Sequence, residues 1–187
     1  DERSAGFVAL GMAQQKKKPV ILSCTSGSAV LNYTPAMVEA FYQKIPLVAV
    51  TADRPGEWID QGEGQSMRQV KLMDNVVLHS VNLVEEHNDD DRWYNGRLIN
   101  EAFELAITKS MPVHINVPLK EPLYGTAPSS YVMPQAFEIV ESKKMLSDSE
   151  LDKLKGIFQA SNKVLVLVAQ GKESAECIEA LREMNAC

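Results

Sequence analysis

Residues 46–60 have the sequence PLVAVTADRPGEWID. The apolar run at residues 46–50 is typical of a strand that is buried on both faces of a parallel sheet. Asp53, Arg54 and Pro55 follow this run, so a carboxylate and a guanidinium reach the carboxyl edge of the sheet. Open α/β sheets bind ligands at that edge, where Arg54 would pair with an anionic substrate. The simpler alternative is a surface arginine in a salt bridge with Asp53.

The segments around this stretch alternate between strand and helix patterns. Apolar runs predict four strands, over residues 19–24, 46–51, 76–83 and 112–118. Helical spacing and capping residues predict three helices, over residues 29–43, 66–73 and 92–108, and a helical pattern is already present at Phe7 and Leu10. Because strand and helix alternate, we expect an α/β fold with a doubly wound parallel sheet.

The composition changes after residue 120. Repeated prolines, Gly125 and paired serines indicate an extended linker. Ser147 to Glu150 has the pattern of a capping box, and the sequence KVLVLVA at residues 163–169 predicts a strand that precedes a last helix. We therefore expect one domain over residues 1–125, a linker over residues 126–145 and the start of a second α/β domain over residues 146–187.

Composition narrows the class of protein. With 187 residues, 45% of them hydrophobic and 24% charged, the chain is typical of a globular protein. The net charge of −6 argues against a nucleic-acid or membrane partner, and an anionic ligand would need a local cluster of Arg or Lys. The three cysteines are few and far apart, which indicates a reducing compartment and a cytoplasmic location.

Two further features of the sequence concern metal binding and whether the chain is part of a longer protein. His79, His87 and His114 do not have the spacing of metal ligands, so we interpret them as ordinary strand or loop residues. The chain starts at Asp1 with a helical pattern under way and stops at Cys187 after a helix-like segment. We therefore expect a piece of a longer protein.

Five motifs, in order along the chain, carry a resemblance to a known family. They are DERSAGFVALG at residues 1–11, PVILSCTSGSA at 19–29, TADRPGE at 51–57, Gln65 with Arg68-Gln69, and EPLYG at 121–125. The first two resemble the pyrimidine-binding domain of the thiamine-diphosphate enzymes. The five together resemble one family of that superfamily, the 2-succinyl-5-enolpyruvyl-6-hydroxy-3-cyclohexene-1-carboxylate (SEPHCHC) synthases of menaquinone biosynthesis. The related acetohydroxyacid synthases lack the Asp-Arg-Pro loop.

The resemblance implies an activity, cofactors and partners. Such an enzyme is a homodimeric transferase that decarboxylates 2-oxoglutarate and adds the product to isochorismate. It uses thiamine diphosphate with Mg²⁺ or Mn²⁺, and the diphosphate and metal site lies on a separate carboxyl-terminal domain. Residues 1–187 would then carry half of a cofactor site and be inactive alone. The alternatives are another thiamine-diphosphate carboligase, of the acetohydroxyacid synthase type, and a noncatalytic α/β interaction module.

The resemblance also implies a catalytic role for Glu2. In this superfamily a glutamate at that position forms a hydrogen bond with N1′ of the aminopyrimidine ring, which promotes removal of the proton at the thiazolium C2 atom. Without the surrounding motif, Glu2 would be interpreted as a first-turn acid that is stabilised by the helix dipole.

Further site residues are implied by the same resemblance. The turn next to the pyrimidine would be formed by Thr25, Ser26 and Gly27, where glycine permits close approach of the backbone. Arg54 and Gln65 would face the substrate, Arg54 as the partner of a carboxylate and Gln65 as a neutral donor. The family often has Asn before that glutamine, whereas this chain has Gly64, so one substrate contact is absent or supplied elsewhere.

Overall fold

The computed structural model describes residues 1–120, 125–126, 133, 135–140, 145–168 and 174–183. The chain divides into two compact units, Asp1–Glu141 and Ser142–Cys187. Two features of the sequence lie largely outside the described residues. They are the motif at residues 121–125, of which only Gly125 is described, and much of the predicted linker over residues 126–145.

The first unit contains a parallel sheet of four strands. Its elements are α1 (Glu2–Lys16), β1 (Val20–Cys24), α2 (Ser28–Gln43), β2 (Leu47–Asp53), β3 (His79–Asn82), α3 (Asp89–Lys109) and β4 (Val113–Pro118). The strand order is β1-β2-β4-β3, so β2, which precedes Arg54, lies inside the sheet. A short 3-10 turn, Gly56–Trp58, follows β2.

The two faces of the sheet carry separate apolar cores, which explains the apolar character of the central strands. Leu47 and Ala49 of β2 belong to a core with residues of α1 and α2, whereas Val48 and Val113 belong to a core with residues of α3. Successive side chains of a strand point to opposite faces, so β2 is buried on both. Helices thus cover both faces, and the predicted doubly wound α/β fold is confirmed.

The segment before β3 differs from its prediction. Residues 66–73 were predicted as a helix, but residues 66–69 form no regular structure and residues 70–73 lie in turns, with bonds from Leu72 N–H to Gln69 O (3.0 Å) and from Asp74 N–H to Lys71 O (3.2 Å). Lys71 has a φ of 62°, which interrupts a right-handed helix. The strand predicted over residues 76–83 is formed only at His79–Asn82.

The second unit shows two helices in its described residues. They are α4 (Asp148–Ala160), whose predicted capping box at Ser147 and Glu150 is present, and α5 (Ala175–Glu183). The strand predicted over residues 163–169 is not formed over 163–168. A strand needs a neighbour to receive its backbone hydrogen bonds. Residues 145–168 and 174–183 contain no second strand that would supply one.

Candidate functional site

Three strands of the sheet end next to one another at its carboxyl edge. β1 ends at Cys24 and leads into the β1–α2 turn (residues 25–27), while β2 ends at Asp53 and leads into Arg54. β4 ends at Pro118, and the N–H of Leu119 donates to the Asp53 carbonyl at 2.9 Å. The register pairs Cys24 with Thr51 and Asp53 with Pro118, so these chain ends are neighbours at one edge.

The β1–α2 turn is shaped by Gly27. Its φ of 81° and ψ of −146° lie in a region that glycine alone occupies readily. A Cβ at this position would lie 3.2 Å from the Gln65 carbonyl oxygen and 3.3 Å from Gln65 Cα. The structure therefore places the backbone of Gln65 directly against Gly27, although the two residues are far apart in the sequence.

We expect Gly27→Ala to lower the free energy of unfolding by about 1–3 kcal/mol, because alanine would be strained at this φ and would press on Gln65. Gly11→Ala is the matched control, because Gly11 lies in the interior of α1 with no atom within 4 Å of the added Cβ. It should stabilise the protein by about 0.5–1 kcal/mol. Urea unfolding of both variants measures the difference, and equal effects would contradict the strain at Gly27.

A buried network of polar side chains lies beneath this edge. Its members are Thr51, Asp53, Gln69, His114 and Asn116. Asn116 Nδ2 donates to Asp53 Oδ2 at 2.6 Å and to Asn82 Oδ1 at 2.8 Å. Asn116 Oδ1 accepts from Thr51 Oγ1 at 3.0 Å and from Gln69 Nε2 at 3.1 Å. All hydrogen-bonding atoms of the Asn116 amide are thus satisfied, as burial requires.

The direction of these bonds fixes the proton on His114. Thr51 uses its single hydroxyl proton for Asn116, so its 2.8 Å contact with His114 Nε2 requires that Nε2 donates. His114 Nδ1 then accepts from Ser80 Oγ at 3.3 Å. Burial lowers the pKa of His114 from 6.5 to about 4, against a small opposing effect of Asp74. His114 is therefore neutral at pH 7.

This pKa predicts a loss of stability in acid. Between pH 6.5 and about 4 the unfolded chain binds a proton at His114 that the folded chain does not bind, so acid favours unfolding. The contribution is about 3 kcal/mol at most. We expect His114→Gln to be less stable than wild type at pH 7 but to lose less stability between pH 7 and pH 4.5. Urea unfolding at both pH values tests this, and parallel losses in the two proteins would be the contrary result.

Glu2 lies in the first turn of α1, half-buried, after the cap at Asp1, whose carboxylate accepts from Ser4 N–H at 2.9 Å. Burial and then the charge of Glu2 raise the pKa of the Cys24 thiol to about 11. Glu2 also contributes to raising the pKa of Tyr33 to about 12, after burial and Cys24. The Glu2 carboxylate therefore lies within electrostatic reach of the last residue of β1, at the same edge as the β1–α2 turn.

Arg54 lines a pocket of about 210 Å³ at this edge. The pocket is lined by Arg54, Pro55, Trp58, Glu63, Leu119 and Lys120. Arg54 Nε donates to the Gly64 carbonyl at 3.4 Å, which places the guanidinium beside the loop that carries Gln65. Lys120 Nζ lies 3.3 Å from Glu57 Oε1. The pocket thus combines the Arg54 guanidinium, the Lys120 ammonium that is paired with Glu57, the Trp58 indole ring and the Glu63 carboxylate.

Sequence reasoning missed the residues that connect these parts. Gln69 was noticed only within a motif, and Asn116, Trp58 and Lys120 were given no role. Asn116 could have been found, because a polar residue in the apolar run at residues 112–118 must have a buried partner. No local pattern predicts that Gln69 reaches Gly27, which is 42 residues away.

Two kinds of feature, a metal-binding cluster and a membrane-spanning helix, are absent from the described residues. No group of three or more His, Cys, Asp or Glu in these residues is arranged to hold a metal ion. None of the helices in the same parts of the chain is both long and apolar enough to cross a membrane.

Comparison with known proteins agrees with this architecture. The family described as thiamine pyrophosphate enzyme, N-terminal TPP binding domain, matches residues 1–72. Proteins named 2-succinyl-5-enolpyruvyl-6-hydroxy-3-cyclohexene-1-carboxylate synthase are similar over most of the chain. The one from Flavobacterium psychrophilum is 48% identical and covers 90% of this chain. Those from Porphyromonas gingivalis and Bacteroides fragilis are 45% and 43% identical and cover 89% and 91%.

The fold and the match of its first 72 residues define the class, an N-terminal domain of the thiamine pyrophosphate enzymes. Within that class the proteins named SEPHCHC synthase are homologues of this chain, at 41–48% identity over 90–98% of its length. It spans 29–31% of the length of the three relatives described above.

Proposed function

We propose that the whole protein is a SEPHCHC synthase that depends on thiamine diphosphate. It would decarboxylate 2-oxoglutarate and transfer the remaining four-carbon unit to isochorismate. The observation that carries this proposal is the convergence at one sheet edge of a carboxylate from α1, a glycine turn after β1 and an arginine after β2. The names of the similar proteins support the choice of this synthase within the class.

The residues at the edge fit the pyrimidine half of the cofactor. We propose that Glu2 binds N1′ of the aminopyrimidine and that Thr25, Ser26 and Gly27 form the turn beside the ring. Glu2 is half-buried, and its charge contributes to the raised pKa of Cys24 at the end of β1, which supports this role. When bound, the cofactor would supply the electron sink for decarboxylation. Glu2 itself would hold a proton at N1′.

Arg54 and Gln65 are proposed to bind substrate. Both proposed substrates carry two carboxylates, and the protein has a net charge of −6, so local cations must attract them. The pocket beside Arg54 also contains Lys120, which would have to exchange its partner Glu57 for a substrate carboxylate. Arg54 would form a bidentate pair with one carboxylate, and Gln65 would donate a neutral hydrogen bond. Gly64 supplies no side chain, so any contact made by Asn elsewhere in the family must come from another residue.

Further properties of the whole protein are proposed on the family resemblance. They are a homodimer, a Mg²⁺ or Mn²⁺ ion that binds the diphosphate outside residues 1–187, and a cytoplasmic location. The same resemblance supports a pyrimidine-binding domain over residues 1–125, a linker over residues 126–145 and the start of a central domain after it.

The test is product formation by the purified whole protein with thiamine diphosphate and Mg²⁺. We expect SEPHCHC from 2-oxoglutarate and isochorismate, with release of carbon dioxide, and no comparable product when pyruvate replaces 2-oxoglutarate. Preference for pyruvate with a second 2-oxo acid would favour the acetohydroxyacid synthase type. No turnover of any 2-oxo acid, with no cofactor bound, would favour the noncatalytic module.

A further inference from the structure

Gln69 connects the three parts of the edge more directly than any residue discussed above. Gln69 is 1% exposed and lies just before a turn, in neither a strand nor a helix. Its Oε1 accepts from the Gly27 N–H at 2.6 Å, and its Nε2 donates to the Ala52 carbonyl at 2.8 Å and to Asn116 Oδ1 at 3.1 Å. One amide therefore joins the β1–α2 turn, β2 and β4.

Only a primary amide of this length satisfies all three partners. Gly27 N–H offers a donor, so the side chain must present an acceptor there. The Ala52 carbonyl and Asn116 Oδ1 are acceptors, so the same side chain must also present two donors. Asn116 Oδ1 is fixed as an acceptor, because Asn116 Nδ2 donates to Asp53 and Asn82. The orientation of the Gln69 amide is thus determined by its surroundings.

The same amide contacts the segments that carry the proposed site residues. Gly27 is the N-cap of α2 and has no side-chain cap, so the Gln69 bond to its N–H is a principal restraint on the turn. Ala52 lies two residues before Arg54, and Gln65 is carried four residues before Gln69, with its backbone against Gly27. A shift at Gln69 would therefore move the β1–α2 turn, Gln65 and the end of β2 that precedes Arg54 together.

We propose that Gln69 is a positioning residue that holds the β1–α2 turn and the Arg54 strand in the relative placement that the reaction requires. This inference rests on the proposed function, because it assigns the turn to the cofactor and Arg54 to the substrate. Displacements of about 1 Å at a site can cost 10²-fold in rate. Gln69 touches neither ligand in this assignment and acts through the backbone of its partners.

The experiment compares Gln69→Leu and Gln69→Glu with a control at Asn95 in the whole protein. Asn95 is also a buried amide, 4% exposed, and it clamps the backbone of Val84 through bonds of 2.9 Å from Val84 N–H and to Val84 O. Asn95→Leu therefore removes a comparable amide clamp at a place that holds no proposed site residue. Three readouts are used: amide hydrogen exchange without cofactor, calorimetric binding of thiamine diphosphate with Mg²⁺, and steady-state kinetics.

For Gln69→Leu we expect exchange at the Gly27 amide to accelerate tenfold or more and the cofactor dissociation constant to rise, with kcat lower by about tenfold. Gln69→Glu keeps the acceptor for Gly27 but, when ionised, loses both donors, so Gly27 should stay protected while kcat still falls. Asn95→Leu should expose Val84 to exchange and leave Gly27, the cofactor constant and kcat within about threefold of wild type.

Two results would overturn the proposal. One is that Gln69→Leu leaves the exchange rate of the Gly27 amide and kcat unchanged. The other is that Asn95→Leu loses as much cofactor affinity and kcat as Gln69→Leu does, which would mean that both variants act through a general loss of stability. If Gln69→Leu does not fold, Gln69→Glu decides the question alone through its kcat. An inactive wild-type protein would refute the proposed function, and Gly27 exchange would still report whether Gln69 holds the turn.

Discussion

Glu2→Gln in the whole enzyme is expected to slow hydrogen–deuterium exchange at the C2 position of bound thiamine diphosphate by about 10²–10⁴-fold. A carboxyl group can share a proton with N1′ of the aminopyrimidine, whereas the neutral amide of glutamine cannot share that proton. The substitution preserves the shape of the side chain, so binding of the cofactor should be affected far less than the exchange rate. Nuclear magnetic resonance after acid quench measures the exchange directly.

The fold should tolerate this substitution. The α1 helix is capped by Asp1, not by Glu2, so the loss is limited to the dipole interaction of a first-turn acid, about 0.3–1 kcal/mol. Asp90→Asn is a suitable control, because Asp90 is an exposed first-turn acid of α3. It should cost a similar amount of stability and leave C2 exchange unchanged. Unaltered exchange in Glu2→Gln would remove Glu2 from the proposed catalytic role.

A second check on Glu2 needs no cofactor. The Glu2 charge contributes to the raised pKa of the Cys24 thiol, after burial. Removing that charge in Glu2→Gln should lower the pKa of Cys24, so alkylation of the thiol should be faster at a fixed alkaline pH. Because only thiolate reacts, the pH profile of alkylation reports the change. An unshifted profile would mean that the Glu2 carboxylate does not lie near the end of β1.

The sequence predicted the elements that local chemistry specifies. The apolar run before Thr51 is buried as the central strand β2, and the placement of Arg54 at the carboxyl edge follows from it, whereas the run before Cys24 forms the edge strand β1. The helix predicted over residues 66–73 is not formed: residues 70–73 lie in turns, Lys71 has a φ of 62°, and the buried Gln69 amide bonds to residues that are distant in the sequence. The apolar periodicity of a segment cannot predict hydrogen bonds to residues that are distant in the sequence. The strand predicted over residues 163–169 had the right composition, but a strand also needs a partner.

The candidate site was predictable to a different extent. Arg54 follows the end of a strand and Gly27 lies in the turn after another strand. The location of both residues at the carboxyl edge of the sheet could therefore be inferred from the residues adjacent to them in the sequence. The polar network beneath them joins residues as far apart as Thr51 and Asn116. Its members are ordinary polar residues, and their pairing depends on the strand order β1-β2-β4-β3, which a single sequence does not state. Topology therefore had to be known before Gln69 could be given a role.

Arg54→Ala in the whole enzyme is expected to lower kcat/KM for the substrate that Arg54 binds by about 10–100-fold. The basis is the loss of a charge-assisted contact to a carboxylate, which is worth about 1.5–3 kcal/mol. Binding of thiamine diphosphate should change little, because Arg54 belongs to the pocket with Trp58 and Lys120. Kinetics with each substrate varied in turn would show which carboxylate it contacts. Arg54→Lys keeps the charge but not the planar fork, so it should recover only part of the loss.

The matched control for this prediction is Arg68→Ala. Arg68 is an arginine of the same loop region, and its guanidinium forms an ion pair with Asp60 at 2.7 Å while the side chain is 82% exposed. Exposed pairs of this kind contribute about 0–1 kcal/mol, so removal of Arg68 should leave both KM values and kcat within about threefold. If Arg54→Ala also leaves both KM values and kcat within about threefold of wild type, the pocket beside Arg54 does not bind a substrate carboxylate. Equal losses in both variants would instead indicate a nonspecific effect of positive charge, because Arg68 does not line the pocket.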